Sequence, residues 1–332
     1  MNPIAVIAIG GNSLVPPGKL TTFEEQQRRA RITCEGVTDV LAAGYRIVLT
    51  HGNGPQVGGA LLRGELAANR LPSLRLDECD AETQGDLGYL LQQTLSNSLA
   101  DRGIESDVVT LITQVVVNPD DPAFRNPAKP IGPAYRFEEA VERKLRYGWT
   151  MVEDSGRGWR RVVASPQPLE VVETPAIRAC LDAGILVIAA GGGGVPVARR
   201  NGRLQGVEAV VDKDRTSAVI ATSLGAELML FSTAVDRVAW HFGKPDQRFL
   251  DSLEWEEAER YLREGEFPAG SMGPKIQSAL EFLAEGGEQA IITSPENIGA
   301  AIRSHAGTRI VAPAASYLHH RREDMMKSEP IP

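Results

Sequence analysis

Short apolar runs alternate with amphipathic segments along most of the chain. Runs suited to buried strands lie at 4–9, 46–50, 108–117, 185–190, 228–232, 290–293 and 309–311. Between them, apolar positions recur at helical spacing over about 23–43, 81–101, 215–224, 254–264 and 274–284. Thr22 and Glu25 have the spacing of a capping box, and Thr174-Pro175 places proline at the first position of another helix. Gly44, Gly103, Gly184 and Gly225 follow helical stretches, where a left-handed residue commonly ends the last turn. Strand–helix–strand alternation predicts an α/β protein built on a mostly parallel sheet with helices on both faces.

One region breaks this rhythm. From Asn118 to about Pro168 the chain is rich in Pro, Asp, Arg and Trp, with short strand candidates at 150–152 and 161–164. A structureless loop of that length is uncommon inside a compact domain, so the stretch predicts an inserted subdomain or lid. After Pro313 no pattern continues, and 314–332 is expected to be a mobile tail. The tail's His319-His320 pair is expected to be solvated.

Composition narrows the function classes. A net charge of −8 over 332 residues argues against a nucleic-acid surface. The three cysteines, Cys34, Cys79 and Cys180, are widely spaced and odd in number, which fits free thiols in a reducing compartment. The N-terminal run lacks a basic region and a cleavage site, and it reads as a first strand. No stretch is apolar for long enough to span a membrane. These features predict a cytoplasmic protein.

The chemistry concentrates where strands end. Gly10-Gly11-Asn12 follows the first strand, Gly52-Asn53-Gly54 the second, and Gly191 to Gly194 the fourth. In open parallel sheets ligands bind at the carboxyl ends of strands, where backbone amides and helix N-termini attract anions. Three such loops on one edge point to a phosphate-bearing ligand or two anionic ligands meeting. Three lysines have unusual settings. Lys129 lies in the insertion, Lys213 sits between Asp212 and Asp214 after Val210-Val211, and Lys275 opens a helix, where the dipole disfavours a cation unless an anion is near. A transferring phosphoryl group would suit all three. A Walker motif, the protein-kinase signature set and the G-x-G-x-x-G spacing are all missing.

The segments IAIGGN, LTHGNGPQVG, ETQGDLGYLLQQ, DPAFRNPAKPIGP, SPQPLEVVE, AAGGGGVPV, GVEAVVDKD, FGKPDQ and EGEFPAGSMGPK together resemble carbamate kinases of the amino-acid-kinase superfamily, over about residues 3–313. The resemblance implies a three-layer αβα sandwich forming a single domain, 1–313. Its N-lobe, about 1–208, would bind carbamate and carry the protruding lid, about 118–168; its C-lobe, about 209–313, would bind the nucleotide. It also implies a homodimer and reversible phosphoryl transfer between ATP, with Mg²⁺, and carbamate. Lys129, Lys213, Asp214 and Lys275 would be catalytic. Gly10, Gly11, Asn12, Gly52, Asn53 and Gly54 would cradle the acid, and Gly191, Gly192, Gly193, Asp212, Thr233, Phe242 and Met272 would serve the nucleotide, the glycines by letting phosphates approach the backbone. Gln84, Gly85, Gly88 and Tyr89 also match, under the site or at the dimer contact. A carbamate oxygen is already anionic, so no general base and no dedicated metal site are required.

The chain departs from the family pattern in the nucleotide lobe. Thr233-Ala234-Val235-Asp236-Arg237-Val238 replaces the usual Thr-Asp-Val-Asp-Gly-Val, and Arg215-Thr216 replaces a small apolar pair. Two alternatives therefore stand beside a carbamate kinase: a kinase for another small acid, or a nucleotide-binding regulatory paralogue. Arg237 would either contact phosphate or lie on the surface.

Overall fold

The computed structural model describes residues 2–14, 22–72, 74–154, 158–268, 270–303 and 305–311. The expected tail, 314–332, lies outside the described residues, and of Asn12 only the backbone is described.

An eight-stranded sheet runs through the centre. Its strands in chain order are β1 (Ile4–Ile9), β2 (Arg46–His51), β3 (Val108–Thr110), β4 (Leu186–Ile188), β5 (Leu228–Ser232), β6 (Ser252–Glu254), β7 (Gln289–Thr293) and β8 (Thr308–Val311). Across the sheet they follow the order β6-β8-β7-β5-β1-β2-β4-β3. The six strands from β7 to β3 are mutually parallel, and β8 reverses against β7. All six residues of β1 are buried, so it reads as a continuous apolar run. Its side chains alternate between two cores. Ile4, Val6 and Ala8 pack with the helices Thr174–Asp182, Lys213–Leu224, Trp255–Arg263 and Met272–Ala284. Ala5, Ile7 and Ile9 pack with Phe23–Ala42, Leu76–Asp101 and Ile298–Ile302. The result is a three-layer αβα sandwich, in which each fully buried Leu or Ile contributes about 1.5–3 kcal/mol.

Register places the loops. Ile9 pairs with His51 on one side and with Ser232 on the other, and Leu49 pairs with Ile188. The carboxyl ends of β1, β2, β4 and β5 are therefore level, and the glycine loops emerge from one edge. The predicted helix stops are observed, with Gly44, Gly103, Gly184 and Gly225 all at positive φ. At the start of Phe23–Ala42, the Thr22 hydroxyl accepts a hydrogen bond from the Glu25 amide.

The expected single strand 108–117 is two strands in different sheets. Val108–Thr110 closes the main sheet, whereas Gln114–Val117 pairs with Val195–Arg200 and Pro168–Val171 in a second, four-stranded sheet. The crossing is stabilised because Gln84 takes over the backbone of Thr113. Its Oε1 accepts from the Thr113 amide at 2.8 Å and its Nε2 donates to the Thr113 carbonyl at 3.0 Å. The strand expected over 185–190 is likewise shorter, because Ala190 turns to φ +47°. Among the described residues four helices escape the periodicity: the short Gly11–Leu14 and Ile298–Ile302, Gly54–Ala67, whose four glycines read as loop, and Phe137–Tyr147 inside the insertion.

The insertion forms a three-stranded antiparallel sheet from Lys129–Tyr135, Met151–Glu153 and Trp159–Val163, with Phe137–Tyr147 beside it. It docks on the helix Gly54–Ala67 through a backbone-to-backbone crossing, where a Cβ on Gly58 would lie 2.1 Å from the α-carbon of Gly132. Ile131 and Val163 join Val57 and Ala60 in a third apolar cluster beneath that crossing. Among the described residues no helix is long and apolar enough to cross a membrane.

Two neighbouring glycines test the crossing. Gly58→Ala is expected to lower stability by about 1–3 kcal/mol, since backbone cannot yield to the new methyl. Gly59→Ala, with nothing within 4 Å of its added Cβ, is expected to raise stability by about 0.5–1 kcal/mol. Chemical denaturation of the two variants measures the contrast.

Candidate functional site

The turn from Asp212 to Asp214 is where the candidate residues meet. Asp212 caps the helix Lys213–Leu224, its Oδ1 accepting from the Asp214 amide at 3.0 Å. Its Oδ2 accepts from Lys129 Nζ at 2.8 Å, so the insertion reaches across to the start of this helix. Asp214 takes two lysines: Lys213 Nζ lies 2.6 Å from Oδ1 and Lys275 Nζ 3.0 Å from Oδ2. Lys275 also donates to the Ser271 carbonyl at 3.4 Å, which holds it against the start of its own helix. Three lysines from three separate elements thus converge on two carboxylates two residues apart.

The electrostatics follow from burial and charge. Burial alone would raise the Asp212 carboxyl, but Lys129, then Lys213 and Lys275, outweigh it and hold Asp212 far below the usual carboxylate range. Asp214 follows the same pattern: burial raises it, and Lys213 and Lys275 bring it below its ordinary value. Burial pulls the Lys213 ammonium down, opposed chiefly by Asp214. Taken by themselves, three ammonium groups against two carboxylates carry one net positive charge in a partly buried cluster. An anion that brought its own negative charge would be favoured there.

The glycine loops are placed around this turn. Gly11 and Gly52 cross so closely that a Cβ on Gly52 would lie 2.8 Å from the Gly11 nitrogen. The amides of Gly10 and Gly52 are engaged with the carbonyls of Ser232 and Ile9. Gly11 and Asn12 open a one-turn helix and Gly54 opens a longer one, so their amides have no partner within the helix. The run Gly191–Gly194 is buried, and protein occupies the space beside each α-carbon. A Cβ would lie 2.4 Å from His51 Nε2 at Gly191, 2.0 Å from Asn53 Nδ2 at Gly192 and 2.5 Å from the Val211 carbonyl at Gly193. The close approach that demands glycine here is by protein groups. The Thr216 hydroxyl ties the run to the helix Lys213–Leu224, donating to the Gly193 carbonyl at 2.8 Å.

Other candidates are spread more widely. Thr233 follows β5 and its amide donates to the Thr293 carbonyl at 2.8 Å. Met272 opens the helix carrying Lys275 and is partly buried against the core, whereas Phe242 is 60% exposed on a turn. Arg237 pairs with Asp251 at 2.6 Å on the surface. Ala234 is also exposed.

Several site residues give no sequence signal. Asp80 is buried beneath Asn53, whose Nδ2 donates to Asp80 Oδ1 at 3.0 Å and to Thr83 Oγ1 at 2.9 Å. Ser217 and Thr50 share a buried hydrogen bond of 2.7 Å between the site helix and β2. Nothing in LDECDAETQG separates Asp80 from an exposed helical acid. His51 is fully enclosed, and burial lowers its imidazole to about 4. It is therefore neutral at pH 7 and packs against Gly191.

Residues 3–294 match the model of the amino acid kinase family. The chain belongs to that family. Within it, the chain is 47% identical over 315 residues to the carbamate kinase-like protein YahI of Escherichia coli, covering 94% of this chain and 99% of the relative. It is 44% identical over 309 residues to the carbamate kinase of Thermococcus kodakarensis, covering 92% and 98%. A solved carbamate kinase from Giardia lamblia bound to AMP-PNP superposes with a TM-score of 0.86 at 38% identity, covering 93% of this chain and 98% of that one. The chain is thus a kinase of the amino acid kinase family and a homologue of carbamate kinases.

His51 generates a pH prediction. Unfolded, the imidazole takes its proton near 6.5; folded, only near about 4. Between those values the unfolded chain binds more protons, so stability falls as pH drops through the window and this contribution levels off below it. The loss from this group is about 3 kcal/mol between pH 7 and pH 4. Urea unfolding across that range should show a component of this size that His51→Gln abolishes; equal pH dependence in both proteins would contradict it.

Proposed function

We propose that this protein is a carbamate kinase, catalysing reversible phosphoryl transfer between MgATP and carbamate to give MgADP and carbamoyl phosphate. The observation that carries the reading is the convergence of Lys129, Lys213 and Lys275 on Asp212 and Asp214. Homology to carbamate kinases supplies the substrate class.

Phosphoryl transfer needs the reactants in line and the charge on the equatorial oxygens neutralised. Carbamate is already an anion, so its attacking oxygen has no proton to lose. Gly11, Asn12 and Gly54 would present amides to the acid, with Gly10, Gly52 and Asn53 shaping the loops around it. Lys129 would leave Asp212 for the transferring group. Lys213 and Lys275 would hold nucleotide phosphates while Asp214 fixes their direction. Gly191, Gly192 and Gly193 would form the wall between the two substrates, and Thr233, Phe242 and Met272 the nucleotide side.

Among the described residues no group of three His, Cys, Asp or Glu side chains could hold a metal ion, and Asp212 and Asp214 are both engaged with lysines. These residues do not fit a resident Mg²⁺ site. The ion would enter as part of the MgATP substrate, held by phosphates and water. The departures from the family pattern require no other substrate: Thr216 serves the Gly193 carbonyl and Arg237 pairs with Asp251. A homodimer, a cytoplasmic location and a part in arginine metabolism accompany this reading as expectations.

A coupled assay of ATP formation from carbamoyl phosphate and MgADP tests the function. Folded protein that makes no ATP above background would defeat it. Lys129→Ala is expected to lower kcat/KM by about 10²–10³-fold, the usual cost of a transition-state donor. It is the informative variant because Lys129 and Asp212 are both part-exposed. Removing Lys275 would instead leave Asp214, which is buried, short of a partner and cost stability as well.

A further inference from the structure

Asn53 is held in one orientation by hydrogen count alone. The Thr83 hydroxyl gives its single hydrogen to the Asp80 carbonyl at 2.9 Å, so towards Asn53 its oxygen can only accept. Only the amino end of the Asn53 side chain can satisfy it, whatever the charge on Asp80. The second amino hydrogen goes to Asp80 Oδ1. Both hydrogens are thereby engaged, and Oδ1 of Asn53 accepts no hydrogen bond from any described residue. The side chain has little room to turn, because it fills the space beside Gly192.

Asp80 adds an independent observation. It is fully buried, and its second oxygen, Oδ2, has no hydrogen-bond partner. A buried carboxyl with an idle oxygen is unfavourable, and an aliphatic side chain would suit that helix face better. The contact it does make is the one to Asn53.

We propose that Thr83 and Asp80 are positioning residues that hold Asn53 with its carbonyl oxygen free, and that this oxygen accepts a hydrogen bond from an N–H of the acid. The inference rests on the carbamate kinase reading. Carbamate and acetate have nearly the same shape and both present a carboxylate. Carbamate offers an amino group where acetate offers a methyl. A locked acceptor facing that position is left unpaired by the methyl, and such a mismatch discriminates more strongly than shape does. With Asn53 free to flip, either end of the amide could face the substrate and the discrimination would fall.

The test compares carbamoyl phosphate with acetyl phosphate as donors to MgADP. Each reaction forms ATP and releases the corresponding acid anion, so one readout serves both. For the wild-type protein kcat/KM should favour carbamoyl phosphate. In Thr83→Val, which is nearly isosteric but lacks the accepting oxygen, the ratio of the two kcat/KM values should fall about tenfold, with carbamoyl phosphate losing more. Thr83→Ser, which restores the hydroxyl, should restore the ratio. If Thr83→Val does not fold, Thr83→Ala, which also lacks the accepting oxygen, carries the test with the same expected fall. An equal loss for both donors would assign these residues a purely structural role and overturn the proposal, as would an unchanged ratio. ATP formation from neither donor by the wild-type protein would instead overturn the kinase reading, and this inference with it.

Discussion

Two carboxylates, Asp212 and Asp214, hold three ammonium groups that arrive from different parts of the chain. Lys129 comes from the inserted sheet, Lys213 from the turn itself and Lys275 from a helix more than sixty residues on. Like charges brought this close in a poorly hydrated space repel strongly, and only the intervening acids make the assembly stable. The same balance suits a polyanion. Within that cluster one net positive charge remains. The ion-paired turn thus links the insertion to the helices that open at Lys213 and Met272 and keeps the three cations together.

The fold exists around this turn in a definite sense. Level strand ends deliver the loops after β1, β2, β4 and β5 to one edge of the sheet. Glycines then let those loops lie against one another: Gly11 on Gly52, Gly191 on His51 and Gly192 on Asn53. Side chains at these positions would push the loops apart. The packing is polar where it meets the site, with Thr216, Ser217, Thr50 and Gln84 tying neighbouring backbones. The apolar cores on the two faces of the sheet support this arrangement from below.

Much of this was legible in the residues. The parallel sheet followed from the spacing of apolar runs, and the helix ends from glycines that do adopt positive φ. The lysines were conspicuous by their settings: Lys129 in the irregular insertion, Lys213 between two acids after an apolar pair, and Lys275 at a helix start that disfavours a lone cation. Other features were hidden for physical reasons. In the helix Gly54–Ala67 Gly58 serves the contact with the insertion, and four glycines together erase the helical signal. The strand expected over 108–117 divides because a distant side chain, Gln84, satisfies the backbone at the break. Asp80 looks like any helical acid until the fold buries it under Asn53. The glycine run was legible as a close approach, but the group that approaches was not: neighbouring protein fills the space that a side chain would need.

The central claim is that Lys129, Lys213 and Lys275 serve one migrating phosphoryl group. A crystal structure with a non-hydrolysable ATP analogue and Mg²⁺ tests it most directly. The account predicts the terminal phosphate beside the Asp212–Asp214 turn, with all three Nζ atoms within hydrogen-bond distance of phosphate oxygens. A nucleotide bound elsewhere, with the lysines still held by Asp212 and Asp214, would contradict it.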